Sequence, residues 1–132
     1  MSQLEFFTAL SAVWIALAWA PYILDRILVR GLMGALANPS PDATPQSPWA
    51  VRAMAAHKVA VEAFVAFGPL AAIAIMRTPD DWCAGFAAMT FFFGIFAHYW
   101  IYVAGIVVLR TLSFAVAALS TVALGLKVLG VL

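Results

Sequence analysis

Apolar residues run along this chain in four blocks, each long enough to cross a bilayer, separated by short polar stretches. The pattern predicts helices over about residues 4–29, 51–76, 82–104 and 111–131. Each reaches the ~20 residues that a hydrocarbon core about 30 Å thick requires. Pro21 falls inside the first helix, where a missing backbone donor loosens or kinks the last turns. From 31 to 49 the chain carries Gly31, Gly34, Pro39, Pro41, Pro45 and Pro48 among small polar residues, and reads as an irregular loop. Pro48 and Trp49 open the second helix at the membrane interface. Gly68 and Pro69 are placed to bend that helix, and Arg77 to Asp81 (RTPDD) forms a tight polar turn. The third helix is crowded with aromatics, among them Phe91, Phe92, Phe93, Phe96, Tyr99, Trp100 and Tyr102, which suits packing against lipid and neighbouring helices. A short link after Gly105 leads to Arg110, and the fourth helix is small and aliphatic apart from Lys127.

Composition turns this pattern into a class. Of the 132 residues 66% are hydrophobic and 10% charged, and the mean hydropathy is +1.03, far too apolar for a soluble domain of this size. The expected fold is an all-α integral membrane protein, a single four-transmembrane-helix bundle spanning residues 1–132. A net charge of +1 offers no basic surface, so no nucleic-acid partner is expected. Cys83 is the only cysteine, which excludes an internal disulfide and a thiolate metal cluster; it reads as a packing residue, and no metal site is expected. The N-terminal MSQLEFF lacks the positive n-region of a signal peptide, so the first helix is expected to stay in the mature protein.

Charge also orients the spans. Arg26, Arg30, Arg52, Lys58 and Arg110 fall on the side of the first and third loops, whereas the side of the termini and second loop has Arg77 and Lys127. The positive-inside rule then puts loop 31–49 in the cytoplasm and both termini on the far side; in a bacterial inner membrane, the expected location, that side is the periplasm.

Chemistry concentrates in two places. Within Arg52–Met76, Glu62 lies ten residues past Arg52, roughly 15 Å along a helix and near mid-membrane. A carboxylate there costs about 2.5–3.5 kcal/mol on insertion scales, so it should face helices or water and have a partner. Arg52, Val59 and Glu62 share a helix face, while His57 points away from it. Lys58, four residues before Glu62, is one candidate partner. This polar face reads either as an interhelical ion pair that fixes packing or as a ligand site. On the third helix His98 and Tyr102 are neighbours at i and i+4, close to the loop carrying Arg110. An imidazole, a phenol and a guanidinium near one membrane surface read either as an aromatic belt with one positive-inside arginine or as a site for an anionic ligand with a reactive sulfur.

The run WAVRAMAAHKVAVEAFVAF, Trp49 to Phe67, resembles the second-helix signature of the MAPEG family, membrane-associated proteins in eicosanoid and glutathione metabolism, whose pattern is Arg-x-x-Arg-Ala-x-x-Asn-x-x-Glu. HYWIYVAGIVVLRTLSF, His98 to Phe114, is similar to the junction of the third and fourth helices in bacterial members. The resemblance implies a homotrimer of four-helix bundles with glutathione between subunits near the cytoplasmic side, and a lipophilic small-molecule substrate arriving from the bilayer lipid. Carried over by residue, it implies Arg110 and Tyr102 as the catalytic pair, Arg110 activating the thiol. It implies Arg52 and Glu62 as glutathione-binding residues, and His98, Arg30 and Lys58 complete the expected binding set. Two positions depart from the pattern: the second arginine is Ala55 here and the asparagine is Val59.

Three functions follow for test. One is a glutathione-dependent transferase or peroxidase acting on lipophilic electrophiles. The second is a non-catalytic membrane protein that binds lipid or a partner through a degenerate glutathione site. A proton or ion carrier working through Glu62 is the third, and it lacks a second polar helix to serve as a relay.

Overall fold

Pro21 sets the geometry of the first span. It has no N–H to offer the Leu17 carbonyl, and its ring crowds that oxygen. In the computed structural model, which describes residues 1–132, the helix breaks at Ala18–Trp19 into α1 (Gln3–Leu17) and α2 (Ala20–Leu36). Pro21 occupies the first turn of α2, where its fixed φ is compatible with a helix. The expected single helix over 4–29 is therefore two helices, and the break precedes the proline. The expected loop at 31–49 is also shorter than its glycines and prolines suggest. Gly31, at φ +70°, bends α2 without ending it, and the helix runs on to Leu36. Only residues 37–47 remain as loop.

The remaining helices are α3 (Pro48–Arg77), α4 (Trp82–Ala104) and α5 (Val107–Val128). Pro48 itself starts α3, three residues earlier than the expected 51, and α3 stays helical through Pro69. Asp81 caps α4 by accepting from the Ala84 N–H at 2.9 Å. Gly105, at φ +81°, closes α4 in the left-handed conformation that favours glycine. The chain turns back at once, so α5 begins at Val107 instead of 111 and Arg110 lies in its first turn. Counting α1–α2 as one, four apolar helical spans cross the membrane and the chain has no strand. It is an integral membrane protein with the four-helix architecture.

α4 is the most buried span, packed against α5, α1 and α3. The face of α3 turned inward is mostly alanine: Ala50, Ala53, Ala56, Ala60, Ala71 and Ala74. Such small residues let helix backbones approach where no hydrophobic force separates protein from lipid. Phe67 of α3 and Phe91 of α4 stack with centroids 3.9 Å apart at the centre of the larger core. A smaller core joins Ala18, Ala53, Ala56 and Tyr99.

The break in the first span is held by side chains. The Tyr99 hydroxyl donates to the Ala18 carbonyl at 2.8 Å, and His57 Nε2 donates to the Ile15 carbonyl at 2.9 Å. That bond leaves His57 Nδ1 as an acceptor, and the Tyr22 hydroxyl fills it at 2.7 Å. Carbonyls freed in a low-dielectric interior are costly unless paired. Both ends of α3 also finish a neighbouring helix: Arg52 Nε donates to the Val103 carbonyl at 3.0 Å and Arg77 Nη1 to the Val128 carbonyl at 3.2 Å.

Candidate functional site

The tight turn at Gly105 places two helix ends side by side. His98 and Tyr102, one turn apart on α4, meet edge to face with centroids 5.5 Å apart. Arg110, in the first turn of α5, lies over the Tyr102 ring with Cζ 4.3 Å from its centroid. A guanidinium so placed is attracted by the ring's quadrupole and is fixed in direction. Phe114, one turn further along α5, packs against His98 at 5.9 Å. With Val59 of α3 and Thr111 these residues line an open cleft of about 250 Å³. His98 is buried at 5% exposure, yet its imidazole makes no hydrogen bond within the chain. The cleft thus gathers a permanent cation, a phenol and an unengaged imidazole between two apolar walls.

The other expected site residues lie elsewhere in the subunit. Arg52 binds the last turn of α4 through Nε and packs beside Gly105, so its first partner is the backbone that carries Tyr102. Glu62 faces no other helix of its own chain. It meets Lys58 at 3.9 Å, with side chains 65% and 78% exposed, on the outer surface of α3. Arg30 lines a separate recess of about 400 Å³ with Asn38, Ser40, Asp42 and Thr44 among others, and the recess shares no lining residue with the cleft. Of the seven expected residues, the structure brings together His98, Tyr102 and Arg110. It distributes Arg52, Glu62, Lys58 and Arg30 around them.

The MAPEG family model matches residues 5–130, nearly the whole chain. The chain belongs to the MAPEG family. It has no significant match among curated proteins or among solved structures. Both segments that carry the sequence resemblance border the cleft at the α4–α5 junction of this MAPEG chain. Val59, which stands where the family pattern has asparagine, is one of its walls, so an apolar surface replaces an amide there.

Residue-type reasoning missed a second polar cluster. Asp25, on α2 and only 4% exposed, accepts from the Ser47 backbone N–H at 3.0 Å and from the Ser47 hydroxyl, and from Gln46 Nε2 at 3.4 Å. Gln46 also donates to the Tyr22 carbonyl at 2.8 Å. The cluster ties the end of the first loop to α2 and sets where α3 starts. The available signal was an aspartate inside an apolar run facing a loop rich in hydroxyl and amide groups.

Proposed function

We propose that this MAPEG protein is a glutathione-dependent transferase or peroxidase for lipophilic electrophiles, with the thiol sulfur held in the cleft of His98, Tyr102 and Arg110. The observation that carries the reading is Arg110 fixed over Tyr102 on the wall of an open cleft with apolar sides. A thiolate is stabilised by a cation and a hydrogen-bond donor held close together. The donor set fits one thiolate. The two carboxylates of the tripeptide need more cations than the cleft of one subunit supplies.

Bound glutathione supplies the nucleophilic thiolate. Arg110 holds its negative charge, and Tyr102 donates to the sulfur or to the oxygen that departs. His98 stands beside both, able to relay a proton to a leaving group. Glu62 and Lys58, exposed on α3, become part of such a site when a second copy packs on this surface. A homotrimer provides that packing and also removes the charges from lipid. In this reading the cleft opens to the cytoplasm, and the termini lie in the periplasm.

A second reading, a non-catalytic lipid- or partner-binding protein, is favoured by the apolar Val59 wall alone. Turnover separates the two. Purified protein should conjugate glutathione to a lipophilic aryl halide or reduce a lipid hydroperoxide. Arg110→Ala should lower kcat/KM by about 100-fold or more, as loss of a charge-stabilising donor does in other enzymes. Absence of turnover with both electrophile classes, in folded protein, selects the non-catalytic reading.

A further inference from the structure

The recess beside Arg30 has a chemistry of its own. Gly31 redirects α2, so the turn Leu32–Leu36 leaves the line of the helix. Its Leu32, Met33 and Leu36 are 60%, 79% and 72% exposed, and Leu28 before the bend is 84% exposed. An apolar turn at a membrane surface lies with these side chains among the acyl chains and its polar neighbours at headgroup depth. Beside this turn the recess, about 400 Å³, is lined by Arg30, Asn38, Ser40, Asp42 and Thr44. Arg30 Nε donates to the Thr44 carbonyl at 2.7 Å, which fixes the guanidinium and leaves both Nη groups without a partner in the chain.

Arg30 and Asp42 line the same recess and do not pair. The only ion pairs in the chain are Lys58–Glu62 and Lys127–Asp81. The Asp42 N–H is engaged with the Ser40 hydroxyl at 3.3 Å, while its carboxylate has no hydrogen-bond partner. A fixed cation and a free carboxylate in one recess complement a zwitterion whose anion is a tetrahedral oxyanion and whose cation carries N–H donors.

We propose that this recess binds the phosphoethanolamine headgroup of a membrane phospholipid, with the phosphate on Arg30 and the ammonium on Asp42. The exposed Leu32, Met33 and Leu36 lie along its acyl chains. A choline headgroup has no N–H to give Asp42, and a glycerol headgroup has no cation, so the recess discriminates among phospholipids. The recess and the cleft share no lining residue, and Arg30, counted in the expected glutathione-binding set, serves the lipid instead.

Native mass spectrometry of the purified full chain in detergent tests it, with phosphatidylethanolamine, phosphatidylcholine and phosphatidylglycerol of matched acyl chains. The ethanolamine lipid should be retained on the order of tenfold more tightly than the choline lipid, the worth of one charge-assisted bond. Asp42→Asn should reduce that preference to about twofold or less, and Arg30→Gln should weaken all three lipids. If Arg30→Gln does not fold, Asp42→Asn, in an exposed loop, still decides the matter through the preference. Equal retention of the ethanolamine and choline lipids by the wild type overturns the proposal, as does an unchanged preference in Asp42→Asn. So does displacement of the lipid by glutathione, which would assign Arg30 to the thiol site. Soluble phosphoethanolamine competing as well as the intact lipid would make the ligand a free metabolite, and equally overturns it.

Discussion

Arg52 acts first on the backbone. Its Nε bond to the Val103 carbonyl completes the last turn of α4, two residues before the left-handed Gly105 and seven before Arg110. Its role in the protomer is therefore to position the turn on which Tyr102 and Arg110 depend. Arg52→Gln should loosen that turn and lower kcat more than glutathione affinity, whereas a pure ligand contact would change affinity first. Tyr99 is a second residue whose worth lies in a carbonyl. Tyr99→Phe leaves the Ala18 oxygen without its side-chain donor in a buried setting, and a loss of about 1–3 kcal/mol is expected. Denaturation monitored by circular dichroism in mixed micelles measures it. Pro21, the origin of the break, was visible in the sequence. That His57, Tyr22 and Tyr99 attend to the break was not, because those partners come from positions 35–81 residues apart.

Among elements, the contact of α4 with α5 is the most extensive and holds the cleft. A Cβ added at Gly94 would stand 2.9 Å from the Ala117 backbone nitrogen, so Gly94→Ala must push the helices apart. A cost of about 1–3 kcal/mol is expected from such overpacking, together with reduced turnover, because Arg110 and Tyr102 lie on opposite sides of the contact. At the far end Lys127 of α5 meets Asp81 at 2.9 Å. Lys127, with help from the Ala84 N–H, holds the Asp81 carboxyl below the usual carboxylate range. A depressed carboxylate pKa stabilises the fold above its ordinary value, and the gain disappears as pH falls through the folded value. Lys127→Met should therefore lower the thermal midpoint slightly at neutral pH and match wild type once acid has protonated Asp81. Hydrophobic runs made the membrane spans legible, and residue type picked out the trio at the α4–α5 junction. The end of α2 and the start of α5 were not legible, because they depend on whether a glycine bends a helix or ends it. Gly31 bends one and Gly105 ends one.

For the whole molecule, the surface of α3 is the unsolved part of a single subunit. Glu62 and Lys58 are largely exposed in the middle of a membrane span, a location costly for charge when only lipid surrounds it. In the proposed trimer a second copy packs on this face and meets that cost; the residues it would bring belong to another chain and are not legible in one subunit's sequence. Native mass spectrometry should find a trimer, and Glu62→Leu with Lys58→Leu should alter its stability; a folded, active monomer would remove this part of the account. The most direct test of the central claim is the ultraviolet difference absorbance of thiolate when glutathione is added to protein at neutral pH. A free thiol with a pKa near 8.5 is mostly protonated there. The wild type should develop a saturable thiolate band with release of a proton, and Arg110→Ala should abolish it while remaining folded. No thiolate band in the wild type, or one that Arg110→Ala leaves intact, would contradict a thiol site in the cleft of His98, Tyr102 and Arg110.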